Sequence, residues 1–415
     1  MHAMATAATG PLTLNDAAVL RDPFASYAWL RDNAPVYRDP GTGLYVVTRY
    51  ADIRRIAEDP ETFSNNTGML GDRAVQADDE AARILREEGS PYVNTMVTAD
   101  PPVHTMYRAI VQQAFGPSRI KSMQAYIQEV CDQQIATFAD KGRFEVLTDL
   151  AIPMPIYIIA DQLGVPREMR ATFKRWSDAM VAATDMRLPL ELRVDSARSI
   201  VEMHKFIIGM AEELRARPGD NVLSDIVNGE VDGRKLRNEE IVSVTVQVLV
   251  AGNETTTATM AMGLDLMIKE GLEATLRADM ARIPQYIEEA LRLTSAVQGF
   301  YRRATRDVEI DGTLIPAGSV VMIRFAAANR DERQFPNPDA IDLERKAANQ
   351  HMAFGRGIHY CLGNLLARAE LRTVYTTLLS RFRNFRLADE PDAEDWLIHT
   401  WSRGLNRLVL EFDQA

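Results

Sequence analysis

A single cysteine in a glycine-rich stretch is the residue of this chain best suited to do chemistry. The stretch runs from Phe354 to Gly363 and reads FGRGIHYCLG, with Cys361 near its end. Glycines favour a tight turn because they adopt positive φ angles at little cost. Apolar residues with helical spacing follow, so the pattern predicts a turn that delivers the sulfur to the start of a helix. A helix N-terminus stabilises negative charge and lowers the pKa of a thiol.

Several interpretations of Cys361 are open at this point. An isolated cysteine is most often a small buried apolar residue. A dinucleotide-binding loop is disfavoured, because Tyr360 stands where the third glycine of that pattern belongs. A catalytic nucleophile would need a base, and His359 is too close along the chain to be well oriented. The fourth interpretation is that the Cys361 thiolate is the axial ligand of a haem iron.

A polar interruption of a long apolar segment is the second candidate site. Within residues 241–268, the run Val248–Thr257 reads VLVAGNETTT and places Gly252 and Glu254 in a helix predicted to be buried. A glycine inside a helix costs about 1 kcal/mol relative to alanine, and an ionised glutamate is not buried without a partner. Threonines can bond to carbonyls one turn earlier and bend a helix. A structural kink is therefore one explanation of the run.

Both stretches resemble motifs of the cytochrome P450 family. The Phe354–Gly363 stretch is similar to the haem-binding loop, and the Val248–Thr257 run is similar to the oxygen-binding motif of a small residue, Gly, a variable residue, an acid and two threonines. The order and lengths of the predicted elements also resemble this fold, from about residue 16 to 413. The resemblance implies haem b with Cys361 as the iron ligand. It also implies a monooxygenase that inserts one oxygen atom of dioxygen into a lipophilic small molecule.

The resemblance further assigns roles around the haem. Ala251 and Gly252 would leave space for dioxygen, Thr255 would hold a water by hydrogen bonding, and Glu254 would supply protons. Phe354 would pack on the proximal side, and the Gly363 amide would donate to the thiolate. Cationic partners of the two haem carboxylates would be His104, Arg108, His359 and Arg302, with Arg303 as the alternative one residue away.

Three further charged residues match a structural ion pair of the family. Glu289 and Arg292 form an E-x-x-R pattern 69 residues or more before Cys361, and Arg345 resembles the third member. By resemblance this group would brace the loop that carries the ligand. An exposed i,i+3 ion pair, worth a few tenths of a kcal/mol, is the alternative for any isolated E-x-x-R.

The substrate pocket is predicted partly from helical arithmetic. Gln247, Ala251 and Thr255 are spaced i, i+4 and i+8 and therefore share one helix face. Gln247 is thus predicted to line the pocket, with a hydrogen bond to backbone inside the helix bundle as an equal alternative. The resemblance adds Val250, Val297 and Gln298, together with segments 63–100, 180–190 and 398–401.

Composition limits the partners and the location of the protein. The chain has 415 residues, a formal net charge of −11 and two cysteines, Cys131 and Cys361. The negative charge argues against nucleic acid and anionic membranes, and the cysteine usage fits a reducing cytoplasm. We find no signal-peptide pattern and no uninterrupted apolar run of about 18 residues, so we expect a soluble, cytoplasmic protein without a membrane anchor, and a monomer. Without a flavin or iron–sulfur module in the sequence, electrons should arrive from a ferredoxin and an NAD(P)H-dependent ferredoxin reductase.

The elements that must position these residues are mostly helices. We expect a mainly α protein with a minor β-sheet region and the cytochrome P450 fold, organised as a flexible tail over 1–15 and a single domain over 16–415. Helices are predicted over 16–33, 50–58, 78–88, 105–115, 117–139, 148–163, 166–183, 190–216, 238–270, 283–293 and 362–379. Strands are predicted over 44–47, 308–310, 313–315 and 320–324, with a hairpin turn at 311–312.

Two other functions are compatible with a haem at Cys361. A peroxygenase would be driven by peroxide, and a haem sensor or carrier would not be an enzyme. The Glu254–Thr255 pair argues against both, because an acid and an alcohol at these positions serve the activation of dioxygen.

Overall fold

The computed structural model describes residues 13–68, 79–183, 188–397 and 399–415. The α-helices are α1 Ala17–Arg21, α2 Phe24–Asn33, α3 Tyr50–Glu58, α4 Glu80–Glu88, α5 Val103–Gln112, α6 Pro117–Ala136, α7 Pro153–Gln162, α8 Arg170–Ala182, α9 Leu190–Ala216, α10 Val222–Asn228, α11 Asn238–Lys269, α12 Glu273–Ala278, α13 Ile283–Thr294, α14 Phe325–Ala328 and α15 Asn364–Arg381. A π-helical turn spans Leu147–Ala151, and 3-10 turns span Gln113–Phe115, Ala139–Lys141, Arg167–Met169, Met280–Arg282, Ala348–Gln350 and Gly357–His359.

The strands are short apart from the last one. They are β1 Val36–Arg38, β2 Tyr45–Val47, β3 Phe63–Ser64, β4 Arg143–Glu145, β5 Glu230–Val231, β6 Arg234–Lys235, β7 Phe300–Ala304, β8 Val308–Ile310, β9 Thr313–Ile315, β10 Val320–Ile323, β11 Phe382–Leu387, β12 Glu394–Trp396 and β13 Leu405–Gln414. The expectation of a mainly helical fold with a minor sheet is confirmed.

Helix α11 is the central element of the structure. It packs against α7, α9 and α13. Most of its residues are buried, and many of the apolar ones belong to the largest apolar cluster. A helix that is apolar on several sides is stable only when neighbours cover it in this way. The helix therefore holds its polar run, Val248–Thr257, inside the molecule. Among the described residues, no helix combines the length and apolar content that crossing a bilayer requires.

Two sheets lie beside the helices. The larger has the order β1-β2-β10-β7-β3, with β10 parallel to β2 and the other neighbours antiparallel. In the second, β13 pairs with β11, β12 and β4. The β8–β9 hairpin forms with Asp311 and Gly312 at positive φ, as the turn predicted at 311–312 requires.

The structure corrects several predicted elements. The helix expected over 16–33 is two helices, because Pro23 lacks a backbone N–H and separates α1 from α2. Asp16 does cap α1 by accepting from the Ala18 N–H at 2.8 Å. Strands β1, β3–β7 and β11–β13 were not predicted, and residues 1–12 of the tail predicted over 1–15 lie outside the described residues. Helix α9 matches its predicted range of 190–216.

Candidate functional site

The Cys361 turn is closed by its own backbone and held against α3. The Cys361 N–H donates to the Phe354 carbonyl at 2.8 Å, while Gly355 and Gly357 have φ angles of +70° and +72°. A Cβ on Gly357 would lie 2.2 Å from the Ala57 carbonyl oxygen, so only glycine permits this approach. The sulfur-bearing residue therefore has a defined place immediately before α15.

The protonation of Cys361 depends on more than the helix N-terminus. Burial raises the pKa of the Cys361 thiol, and the Gly363 N–H and the charges of Arg108 and Arg368 oppose this rise. The net direction is opposite to the one expected from a helix N-terminus alone, because desolvation disfavours the thiolate. A bound metal cation would stabilise the thiolate form of a cysteine that is buried in this way.

The polar run of α11 borders open space rather than packed side chains. Ala251 is exposed in the middle of the helix, and Gly252, Glu254 and Thr255 are partly exposed. The Thr255 hydroxyl donates to the Ala251 carbonyl at 2.9 Å, which leaves its oxygen lone pairs free to accept. The run thus borders a polar opening beside α11. The helix continues without interruption through the run, so the kink considered above is not needed to explain it.

Glu254 is placed where a carboxyl group holds its proton more tightly than usual. Burial raises its pKa, and nearby Asp178 raises it further, while Lys174 lowers it. Both neighbours are on α8, whose Ser177 hydroxyl accepts a hydrogen bond of 2.7 Å from the Asn253 amide. A carboxyl group with a raised pKa can donate protons closer to neutral pH.

Four cationic or potentially cationic side chains meet beside the Cys361 turn. The rings of His104 and His359 lie 4.3 Å apart between centroids, and Arg108 on α5 donates to the Tyr360 carbonyl at 2.7 Å. Burial, followed by the charges of Arg302, His104 and Arg108, lowers the pKa of His359 to about 2. Burial also lowers the pKa of Arg302 to about 10. These side chains therefore destabilise one another's positive charge.

The four side chains fit a group that carries two carboxylates. Both ring nitrogens of His104 and Nε2 of His359 are buried without a hydrogen-bond partner among the described residues. Unpaired polar atoms of this kind are rare in proteins and call for a ligand or water. The charge of the nearby Asp100 favours the charged forms of Arg302 and His104, but its carboxylate accepts hydrogen bonds from the Ser64 hydroxyl and the Asn65 N–H instead of from these side chains. The propionates of haem would satisfy all four side chains.

The structure distinguishes Arg302 from Arg303. Arg302 is 4% exposed, and it donates a hydrogen bond to the neighbouring Tyr301 carbonyl at 2.8 Å. Arg303, on the opposite face of β7, donates to the Thr67 carbonyl at 2.6 Å. Because successive strand residues point to opposite faces, only Arg302 lies on the side of His359.

The predicted structural ion pair is fully buried. Arg292 donates to Glu289 through Nε and Nη2, both at 2.8 Å, and Arg345 Nε donates to the same carboxylate at 3.1 Å. The Asp342 N–H adds a fourth contact at 2.9 Å. Glu289 and Arg292 are each 0% exposed, so the alternative of a solvent-exposed pair is wrong.

The predicted pocket residues have different environments. Gln247 accepts a 3.1 Å hydrogen bond from the Val97 N–H, so its oxygen binds the backbone of the 63–100 segment. Val250 is partly buried, and the backbone of Val297 pairs with Ser402. Residues 69–78, 184–187 and 398, which belong to the predicted pocket segments, lie outside the described residues.

Gln298 is a correction to the predicted pocket. Its amide Nε2 donates to the Ser295 carbonyl at 2.7 Å, and its Oε1 accepts from the Tyr27 hydroxyl at 3.5 Å. The residue is 3% exposed. Its polar atoms are used inside the core, so they are not available to a substrate.

Comparisons with known proteins identify the family of the chain. The family model described as Cytochrome P450 matches residues 85–405. The chain belongs to the cytochrome P450 family. A steroid C26-monooxygenase of Mycobacterium tuberculosis is 34% identical over 368 residues, which are 88% of each chain. As a cytochrome P450, the protein is an oxidoreductase that acts with incorporation of molecular oxygen.

Solved structures of the cytochrome P450 family have the same fold. CYP109Q5 from Chondromyces apiculatus is 34% identical, with a TM-score of 0.85 over 97% of this chain and 98% of that one. CYP109E1 from Bacillus megaterium, solved in complex with testosterone, is 29% identical, with a TM-score of 0.81 over 94% and 99% of the two chains.

Two residues near the Cys361 turn were not predicted from the sequence. Arg368 lies on α15 and is paired with Glu288 on α13 at 2.6 Å. The helical spacing of Arg368 from Asn364 was a usable signal, since i and i+4 residues are neighbours on a helix. Its partner on α13 could not be found without the tertiary structure.

Proposed function

We propose that this cytochrome P450 is a haem-thiolate monooxygenase of lipophilic small molecules, with haem b bound through Cys361. The buried group formed by His104, Arg108, Arg302 and His359 beside the Cys361 turn is the observation that carries the proposal. Phe354 and the Gly363 amide would complete the proximal side. When bound, the haem supplies the activation of dioxygen, and the protein supplies binding, orientation and protons.

The proton chemistry is assigned to Glu254 and Thr255. The Thr255 hydroxyl is oriented by the Ala251 carbonyl, so its oxygen can accept from a water held in the opening of α11. Glu254, with its raised pKa, can load a proton from the direction of α8 and release it towards that water. Ala251 has only a methyl side chain and Gly252 has none, so the two positions leave room for dioxygen beside the helix.

The substrate class is proposed from the relatives and the lining of the pocket. One relative is named a steroid C26-monooxygenase, and one similar structure contains testosterone. Val250 and Val297 are apolar, and Gln247 provides a single amide. We infer a lipophilic substrate of about steroid size with few polar groups, and the shift in haem spin state on titration with steroids, fatty acids and polar controls would test this.

We also propose how the enzyme is supplied and organised. Electrons would come from a ferredoxin and an NAD(P)H-dependent ferredoxin reductase, because a cytochrome P450 monooxygenase requires redox partners. Residues 16–415 would form one domain, acting as a monomer in the cytoplasm without nucleic acid or a membrane anchor.

Replacing Thr255 by alanine should uncouple electron use from product formation. We expect reductant consumption to continue, while product per electron falls by up to about 100-fold, the lower end of what a positioned proton donor contributes. Thr257→Ala is the matched control, because the Thr257 hydroxyl donates to the Ala151 carbonyl rather than towards the opening. Matched reductant use and product yield in Thr255→Ala would refute the assignment. Full turnover with hydrogen peroxide alone would instead support the peroxygenase alternative.

Arg302 and Arg303 should differ in their effect on haem retention. Arg302→Gln removes a buried cation that the haem carboxylates need, so we expect haem to transfer faster to an excess of apomyoglobin, by roughly 10- to 100-fold. Arg303→Gln should leave the transfer rate near that of the wild type, because Arg303 contacts Thr67 instead. Equal rates for the two variants would contradict the assignment of Arg302.

A further inference from the structure

A partly buried ion pair joins α13 and α15 next to the Cys361 turn. Arg368 donates to both oxygens of Glu288, from Nε at 2.6 Å and from Nη2 at 2.9 Å. The side chains are 24% and 15% exposed. Bidentate arginine–carboxylate pairs are strong and geometrically specific, and neither residue takes part in the roles assigned above.

The other edge of the Arg368 guanidinium is connected to the cysteine. Its Nη1 donates to the Asn364 Oδ1 at 2.9 Å, and the Asn364 Nδ2 donates to the Cys361 carbonyl at 2.8 Å. The guanidinium carbon also lies 4.5 Å from the centroid of the Phe354 ring. Arg368 is thus held next to the turn by its contacts with Asn364 and Phe354, and Glu288 pairs with its other edge.

Glu288 and Arg368 are both ionised near neutral pH. Burial alone would raise the pKa of Glu288, but the hydrogen bonds and charges of Arg368 and His351 outweigh it and bring the pKa down to about 2. His351 Nε2 lies 3.4 Å from the Glu288 carboxylate, and burial lowers its pKa, which favours the neutral ring. The cation near the cysteine is therefore balanced by one anion behind it.

We propose that the Glu288–Arg368 pair sets the reduction potential of the iron bound by Cys361, with both residues acting as positioning residues. The inference rests on the proposed axial role of Cys361. One-electron reduction of the ferric iron adds a negative charge to the site. A nearby cation favours this step and a nearby anion opposes it, so the potential depends on the balance within the pair.

The experiment is a spectroelectrochemical titration of the holoenzyme and its charge variants. Glu288→Gln leaves Arg368 uncompensated and raises the potential, whereas Arg368→Gln leaves Glu288 uncompensated and lowers it. The double variant returns towards the wild type, and Arg368→Lys, which keeps the charge, shifts the potential least among the Arg368 variants. A unit charge about 10 Å away changes such an equilibrium roughly tenfold at an effective dielectric constant near 20, which is about 59 mV for one electron.

An electrostatic role predicts shifts in reduction potential of opposite sign in Glu288→Gln and Arg368→Gln, and a structural role does not. Arg381→Gln is the matched control, because Arg381 is on the same helix and forms an exposed 3.4 Å pair with Asp132; its potential stays at the wild-type value. Shifts of the same sign in both single variants, or none beyond the Arg381→Gln control, would overturn the inference. If Arg368→Gln does not fold, the reduction potential of Glu288→Gln tests the inference: a rise supports it, and no rise overturns it.

A second measurement keeps this inference distinct from the proposed function. Each variant is reduced under carbon monoxide, and a red-shifted Soret band reports that the thiolate is still bound. If the wild-type protein lacks that band, the axial role of Cys361 fails. If the band is present throughout but the potentials do not move, only the role of the Glu288–Arg368 pair fails.

Discussion

Cys361→His should abolish the red-shifted Soret band of the reduced, carbon monoxide-bound protein. Histidine can bind haem iron, but it lacks the negative charge that thiolate gives to the metal. We expect monooxygenase turnover to fall by more than the roughly 10- to 100-fold cost of losing a residue that merely supports a metal ligand. The spectrum of the wild-type protein provides the reference.

The second cysteine offers a control for this prediction. Cys131 is buried in the core, and burial raises the pKa of its thiol to about 12. Cys131→Ser should therefore keep the red-shifted band, although it perturbs a buried position. An unchanged band in Cys361→His, or its loss in Cys131→Ser alone, would mean that Cys361 is not the axial ligand.

Arg292→Ala should destabilise the protein more than loss of a surface ion pair. Removing one partner leaves Glu289 charged, buried and partly unpaired, which typically costs 3–5 kcal/mol. The free energy of unfolding from a denaturant titration measures this loss. Arg282→Ala is the control, since Arg282 forms an exposed i,i+3 pair with Asp279 at 3.2 Å, and exposed pairs contribute about 0–1 kcal/mol. Similar losses in the two variants would refute the bracing role of the buried group.

The same ion pair should make the free energy of unfolding depend on pH in the acidic range. Burial raises the pKa of Glu289, but Arg292, the Asp342 N–H and Arg345 outweigh it and hold the pKa below its usual value. A carboxyl group with a lowered folded-state pKa contributes stability above its unfolded-state pKa and loses it as the pH falls through the folded-state value. Arg292→Ala should therefore be less sensitive to acid than the wild type.

The family assignment made from the sequence rested on short contiguous motifs. The turn from Phe354 to Gly363 and the run Val248–Thr257 have chemistry that depends on neighbours along the chain, so their residue types can be recognised without a structure. The same holds for helices with strong periodicity, such as α9, and for the β8–β9 hairpin, whose turn residues adopt positive φ.

Contacts between residues that are distant along the chain could not be predicted from the sequence. Strand β13 pairs with β4, which lies more than 250 residues earlier in the chain, and the local pattern of such short strands is weak. The choice between Arg302 and Arg303 followed from the face of β7, a strand that was not predicted. Gln298 was expected in the pocket, but a hydrogen bond across 271 residues to Tyr27 holds it in the core.

The sequence by itself thus indicated the family, and it was sufficient to propose Cys361 as the iron ligand and Glu254 and Thr255 as the acid–alcohol pair, because each motif consists of adjacent residues. Only the tertiary structure distinguished Arg302 from Arg303 and showed that Arg368 joins Glu288 to the cysteine turn. Burial and charge balance depend on all the elements packed around a residue, and no local pattern records them.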